Sequence, residues 1–406
     1  MRVRKLIGAA ILWTSLLLTG CLLPPAVTPD KDGAEDMENN ELGNGTPEYV
    51  TLMAAVEPAL GGADATVVIV HDDGTKSTVE YMVESFKENG LVGTLGLITK
   101  NLATKSEDGE WVLKDAEVEY WQNILDTGVF NVASHSHTHT FWGVSDEAES
   151  GWYLDASNNL HEYSFEAGRI TEEVAVSRQI LRTAFPDQRV LAFIKPGFGR
   201  VSDENGTRGL PQISDRAFEI IGEHYVGMRN TGGDVDTMPF ANTYSVKSHT
   251  VKNTDTATDW KSLTQSAQRT GGVLVFLFHH IENSPTNSLR ADKDQTDIYF
   301  KWLGTEKEAG RVWNPYLEDA MLYSEEMRTA KIDARLYEDR ITVHLTDEMD
   351  DAIYDHPLTL RIPIPAGYDS VTTDGGKVLY PTVRDGVPCV LIDMIPDSDP
   401  VTILLK

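Results

Sequence analysis

Apolar and polar positions alternate in blocks along most of this chain. Thr66–Val70 (TVVIV) is a short β-branched run, and Ser77–Glu88 follows it with helical periodicity, closed by Asn89-Gly90. Leu91–Thr99 returns to strand character, Asp115–Leu125 reads as helix up to a break at Thr127-Gly128, and Phe130–Ala133 is the next strand. The beat continues with a helix over Thr171–Thr183, where Ile170, Val174, Val176, Ile180 and Leu181 fall near one face, and a strand over Val190–Ile194. Ser214–His224 reads as helix with Ser214 as N-cap, Tyr225–Met228 as strand, Thr258–Gln268 as helix and Gly272–Phe278 as strand. Tyr299–Trp302 and Tyr316–Thr329 look helical. Strands alternating with helices predict a parallel sheet, and an unbroken run such as VLVFLF fits a strand buried on both faces.

After about Lys331 the period changes to two. Ile341, Val343 and Leu345 alternate with polar residues, as do Leu358, Leu360, Ile362 and Ile364, and Gly-Pro-Asp turns separate them from Cys389–Ile392 and Val401–Leu404. This predicts a small β-sandwich-like domain over 331–406, behind a barrel over 50–330. The segment 140–168, with Phe141, Trp142, Trp152, Tyr153 and Tyr163, reads as an insertion beside the barrel, either a surface loop or a substrate-binding lip.

The first residues read differently. Arg2, Arg4 and Lys5 precede an apolar stretch from Leu6 to Leu18, followed by Leu18-Thr19-Gly20-Cys21. A basic start, a short apolar run and small residues before a cysteine predict a bacterial lipoprotein signal over 1–21, with Cys21 lipidated. The apolar run is short for a membrane span. Residues 22–49, rich in Pro, Asp, Glu, Asn and Gly, predict a flexible tether, with order beginning near Val50. The location expected from this is extracytoplasmic and membrane-anchored.

With Cys21 assigned to lipid, Cys389 is the one remaining cysteine, so neither an intrachain disulfide framework nor a cysteine zinc site is expected. A formal net charge of −28 opposes binding to nucleic acid. Any metal must be held by histidine and carboxylate.

Three short strings gather the ionisable groups: HDDG at His71–Gly74, SHSHTH at Ser134–His139 and LFHH at Leu277–His280, each just after a predicted strand. In a parallel barrel, the C-terminal strand ends carry the active site. His135 and His139 are spaced so that one helical turn puts both imidazoles on one side. Asp72 and Asp73 can both reach one cavity where the backbone turns, one to bind metal and the other to stay free as a base. Two histidines and one carboxylate leave coordination positions open for water and substrate. His135 with His137 offers a rival His-x-His pair of the amidohydrolase type. There the pair sits on the first barrel strand, whereas here the Asp-Asp strand comes first, which favours His135 with His139.

These strings together resemble the NodB-type polysaccharide deacetylases of carbohydrate esterase family 4. Asp72-Asp73 matches that family's Asp-Asp motif, His135 and His139 its His-x-x-x-His, Lys195-Pro196-Gly197-Phe198-Gly199 its Arg-Pro-Pro-Tyr-Gly element, Asp259-Trp260 its Asp-Trp element, and Leu277-Phe278-His279 its Leu-x-His. Lys195 stands in place of arginine, Phe198 in place of tyrosine, and His71 in place of an aromatic residue, where it is expected to fill space. The resemblance, over about 65–329, implies an α/β fold: a distorted (β/α) barrel of NodB type, here with a small C-terminal all-β domain.

It also implies roles. Asp73, His135 and His139 hold a divalent ion, zinc first, with Co2+ or Ni2+ as alternatives. Asp72 is the general base, and His279, as imidazolium, the general acid. Lys195 pairs with Asp72, the backbone N–H near Phe198 serves the oxyanion, and Trp260 and Leu277 line the acetyl methyl pocket. The implied reaction removes acetyl groups from an N-acetylated polysaccharide outside the cytoplasm. An O-acetyl esterase on xylan-like polymers is the near rival. A glycan-binding surface lipoprotein without turnover, using Trp142, Trp152 and the β-domain, is the rival from another class.

Overall fold

The apolar runs expected as buried strands lie side by side in one curled sheet. Its order is Gly227–Arg229, Ala192–Ile194, Phe130–Ser134, Gly93–Leu97, Ala65–His71, Val273–Phe278, and every neighbouring pair in this path is parallel. The computed structural model describes residues 48–139, 150–154, 160–164, 171–196, 201–202, 208–209 and 215–405. The expected lipoprotein signal with Cys21, the tether, Phe198 and much of the 140–168 insertion lie outside those residues. Of the insertion, the backbones of Ser150–Leu154 and Leu160–Ser164 pair as an antiparallel hairpin.

Alternation along the strands sorts side chains between two cores. Val67 and Ile69 join Leu274, Phe276 and Phe278 under the helices, while Val68 and Val70 join Val273 and Val275 on the other face. Burial on both faces is what the near-continuous apolar sequence requires. The Lys76–Asn89 helix supplies Val79, Met82, Val83 and Phe86 to the first core. It ends at Gly90, whose φ of 64° is the left-handed conformation that closes a helix and that glycine adopts at little cost. The sheet curls toward closure through the chain after it: Val246 bridges Arg229, and His249 pairs with Phe276.

The second core holds the inner sheet face together with the C-terminal strands. Leu317–Thr329 is a helix buried on nearly every side, and its Leu317, Ala320, Met321 and Tyr323 belong to the same apolar cluster as Val68, Ile194, Val343 and Leu360. Its buried carboxylates are hydrogen-bonded, Glu318 accepting from the Leu191 N–H and Glu326 from the His356 N–H. Beyond it, Lys331–Leu336, Arg340–Thr346, Val401–Leu404, Val371–Thr373 and Val378–Leu379 form one antiparallel sheet. Leu358–Pro363, Val387–Met394 and Thr382–Arg384 form another. Val50–Thr51 and Ala55–Val56, grouped with the barrel on sequence grounds, are edge strands of these sheets, pairing Val50 with Leu336 and Ala55 with Arg361. Two-residue strands carry no periodicity from which that partnership could be read.

Two helices differ from their expected form. Lys293–Glu308 is far longer than the expected Tyr299–Trp302 and is capped by the Asp292 side chain, which accepts from the Gln295 N–H. The predicted Thr171–Thr183 helix opens with a π-helical turn at Glu172–Val176 before the α-helix Ser177–Ala184. Among the described residues no helix is long and apolar enough to cross a membrane.

Candidate metal centre

Three strand ends converge at the open mouth of the sheet. The strand Ala65–His71 is still paired at its end, where the Asp72 N–H donates to the Phe278 carbonyl at 2.9 Å. The backbone then turns, and Asp73 takes a φ of 69°, a left-handed conformation that aspartate tolerates better than most residues. This turn lets two consecutive carboxylates face one cavity. Gly96 on the neighbouring strand leaves the room, because a Cβ there would sit 3.0 Å from Ile194 Cδ1 and 3.4 Å from both Asp72 Oδ1 and His135 Cβ.

His135 and His139 meet by a different route from the expected helical turn. The segment after Phe130–Ser134 is a loop in which Ser136 (φ 63°) and His139 (φ 60°) are left-handed. Its backbone is held by Thr99 N–H to Ser136 O at 3.2 Å and Lys100 N–H to His137 O at 2.9 Å. The Ser136 hydroxyl accepts from the His139 N–H at 3.0 Å. Buried Glu173, brought inward from the π-helical turn, accepts from the N–H groups of His137 at 3.0 Å and Thr138 at 2.7 Å. Sequence reasoning missed Glu173, whose one visible signal is an acidic residue inside an apolar helical pattern. Non-glycine residues with positive φ, held by a dense set of backbone hydrogen bonds, are the mark of a site that surrounding structure over-determines.

The result is a compact ligand set. Asp73 Oδ1 lies 3.5 Å from His135 Nε2 and 3.3 Å from His139 Nε2, and one ligand atom from each of the three falls within 4.8 Å of the others. His135 Nδ1 is 3.0 Å from the Ile194 carbonyl. A carbonyl can only accept, so Nδ1 carries the proton and Nε2 is left with its lone pair toward Asp73. His135 Nε2 and Asp73 Oδ1 are buried with no hydrogen-bond partner, as is Asp72 Oδ1. Two imidazole nitrogens and a carboxylate oxygen converge here, His135 Nε2 and Asp73 Oδ1 of them buried and unpartnered, and they fit a divalent cation of the zinc, cobalt or nickel type.

Burial and neighbouring charge set the protonation states of these groups. Burial pushes the Asp73 carboxyl up, but the nearby His135 ring, then His139, holds it well below the usual carboxylate range. His139 is pulled down to about 4, by burial foremost and then by His135. Its ring is therefore neutral at physiological pH, the form a ligand requires.

The cation beside Asp72 corrects the sequence reading, which gave Lys195 that place. Arg229, fully buried at the end of the adjacent strand, donates from Nη2 to Asp72 Oδ2 at 2.6 Å. Ile194 and Arg229 are register partners, so the guanidinium reaches the aspartate from one strand further along the sheet. Lys195 Nζ instead donates to Asn230 Oδ1 at 3.4 Å, and its ammonium is shifted down by burial first and then by Arg229. Asp72 is held below its ordinary value: burial raises it, and Arg229, followed by His135 and His279, more than offsets that.

The other sequence candidates divide. Leu277 is fully buried and pairs in register with Val70, and its parity puts it on the face of Val273 and Val275. His279 is close enough for its charge to act on both Asp72 and Asp73, and burial foremost pulls its own value down, which favours a neutral ring at rest over the expected imidazolium. His137 is turned away from the centre. Its Nδ1 bonds the Thr99 hydroxyl at 2.8 Å and its ring packs on Trp111 at 4.6 Å.

Trp260 is also a correction. It packs on Phe278 at 6.0 Å and Tyr299 at 5.6 Å in the core under the helices, on the opposite side of the sheet from Leu277. Asp259 forms a capping box with Thr256. The Asp-Trp pair thus starts a helix and fills a core. His71 is fully buried and its ring is pulled down to about 4 by burial, in keeping with space-filling. Beside Asp73 opens a cavity of about 410 Å³, lined among others by Gly74, Lys76, Leu97, Lys114 and Trp121.

Residues 61–207 match the family model described as polysaccharide deacetylase. A stretch of 212 residues, 46% of this chain, is 27% identical to a gellan lyase of Bacillus sp, and the chain spans 8% of that relative's length. Similar solved structures include the CE4 domain of a multidomain xylanase from the hindgut metagenome of Trinervitermes trinervoides, at 14% identity and TM-score 0.35 over 63% of this chain and 89% of that one. A family 4 acetyl xylan esterase from Clostridium thermocellum matches at 12% identity and TM-score 0.35 over 63% and 89%. A CE4 esterase of Streptococcus mutans matches at 12% identity and TM-score 0.37 over 62% and 86%.

Proposed function

We propose, from the match of residues 61–207 to the polysaccharide deacetylase model, that the chain is a metal-dependent hydrolase removing acetyl groups from an N-acetylated polysaccharide outside the cytoplasm. The observation that carries this reading is the meeting of unpartnered His135 Nε2 and Asp73 Oδ1 with His139, beside an ionised Asp72 with its own unpartnered oxygen. Asp73, His135 and His139 would hold the ion, zinc first. A divalent ion bound there supplies Lewis acidity to the attacking water and the acetyl carbonyl.

The protein's own groups do the rest. Asp72 stays charged because Arg229 compensates it, and Oδ1, the oxygen not bonded to Arg229, is free to accept the water proton. Arg229 fixes the carboxylate's orientation and keeps its partner oxygen occupied. His279, neutral at rest, would receive the proton that Asp72 takes from the water and deliver it to the leaving nitrogen. An amine leaves poorly without that proton, far more so than an alkoxide, which favours the amide over the ester reading. The cavity beside Asp73 gives a sugar ring room, with Lys76 and Lys114 at its edge. The family resemblance assigns the oxyanion to the backbone N–H near Phe198, which lies outside the described residues. The Leu18-Thr19-Gly20-Cys21 motif supports anchoring through lipid on Cys21. Cys21→Ser should then move the protein from the membrane fraction to the soluble fraction.

The test is acetate release from N-acetylglucosamine oligomers and from acetylated xylan, with and without chelator. Release from the amide substrate that chelator abolishes and added zinc or cobalt restores is the expected result. Release from xylan alone would favour the esterase. Chelator-insensitive glycan binding with no acetate from either polymer would overturn the hydrolase reading in favour of a binding protein.

A further inference from the structure

A second group of carboxylates lies far along the chain from the catalytic centre, in the loops of the C-terminal strands. Asp347 follows the strand Arg340–Thr346, Asp351 lies in the turn after it, and Asp397 lies between Val387–Met394 and Val401–Leu404. One carboxylate oxygen from each falls within 4.8 Å of the others. The two loops are stitched together by the Asp347 N–H donating to Asp397 Oδ2 at 3.3 Å and the Asp397 N–H donating to the Leu345 carbonyl at 2.9 Å.

Asp347 is the telling member. It is only 9% exposed, and its Oδ1 accepts from the Met349 N–H at 2.8 Å, while its Oδ2 is buried with no hydrogen-bond partner. Among the described residues none of the three aspartates forms an ion pair. A buried carboxylate oxygen with neither donor nor cation is costly, and its nearest charges are of its own sign. Glu326, on the buried helix, feels the Asp347 charge and has a second buried unpartnered oxygen.

We propose that Asp347, Asp351 and Asp397 form a calcium-binding site joining the two loops. The donor set is all oxygen, which selects a hard cation and disfavours zinc. Asp351 and Asp397 are exposed, so water can complete the six to eight oxygens that calcium takes. The loops lead into strands of both C-terminal sheets, so the ion would clamp those sheets at one end.

The experiment is calcium titration of the full chain with its catalytic centre first loaded with zinc, read by calorimetry and by thermal melting. One calcium per chain and a melting temperature raised by about 2–4 °C at saturation are expected. Asp347→Asn should weaken calcium binding at least tenfold and erase the shift, yet melt no lower than wild type in chelator, because it removes an uncompensated buried charge. Asp397→Asn, on an exposed loop, provides a second reading should Asp347→Asn fail to fold. His139→Ala should keep the calcium shift. The proposal is overturned if wild type shows no shift, if both aspartate variants keep it, or if His139→Ala loses it.

Discussion

The molecule holds two clusters of carboxylates, each with one buried aspartate, and the two buried groups differ in their neighbours. At the mouth of the sheet, Asp72 and Asp73 face two imidazoles, a third histidine and the Arg229 guanidinium, and both are held below their ordinary values against the pull of burial. In the C-terminal loops, Asp347 faces Asp397 and Asp351, and burial together with those charges pushes it up. Neighbouring charge decides whether a buried carboxylate stays ionised. The first cluster is charged and ready whether or not a metal is bound.

The largest test of this contrast is Asp72→Asn. Acetate release should fall about 10²–10⁴-fold while metal content is kept, because the amide cannot accept the proton but the ligands remain. Loss of metal instead would exchange the roles of the two aspartates. Arg229→Met turns the first cluster toward the condition of the second, by removing the charge that compensates Asp72. The rate should fall about 10–100-fold, as in loss of an orienting partner. Without the guanidinium, Asp72 titrates higher, so the acid limb of the kcat/KM profile should move to higher pH. Arg229→Lys should restore part of both, and an unmoved acid limb would separate Arg229 from the base.

A smaller effect is expected where the loop is held rather than the ion. Glu173→Gln keeps a hydrogen-bond acceptor but loses the charge gripping the backbone of His137 and Thr138, and should weaken metal binding about tenfold by the usual cost of disturbing ligand support. The smallest concerns Glu326, raised to about 8 by burial foremost, from an ordinary 4.5. Well below pH 4.5 it is protonated whether the chain is folded or not. As pH rises toward 8 the unfolded chain ionises it and the folded chain resists, so stability is lost. Glu326→Gln should remove that slope, leaving the variant more stable than wild type at pH 8 by on the order of 1–2 kcal/mol, measured by denaturant melts across pH 5–8.

Much of this was legible in the sequence. Apolar runs ending in His71-Asp72-Asp73, Ser134-His135 and Phe278-His279 marked both the buried strands and the side of the sheet where chemistry gathers, because a strand buried on both faces is apolar until it reaches the rim. Arg229 was not legible. Its value comes from register with Ile194, a relation between strands far apart in sequence. Trp260 misled for the converse reason, since an Asp-Trp pair reads as a motif while its physics is that of a helix cap and a packed ring. The loop holding His135 and His139 also hid its nature. A spacing of four suggests a helical turn, whereas two left-handed residues and Glu173 achieve the same approach.

The central claim is that one cation is gripped by Asp73, His135 and His139. It is met most directly by measuring the zinc content of wild type, His139→Ala and His137→Ala after equilibration with limiting zinc. The account predicts one equivalent in wild type and in His137→Ala, and loss from His139→Ala. Zinc kept by His139→Ala and lost from His137→Ala would contradict it.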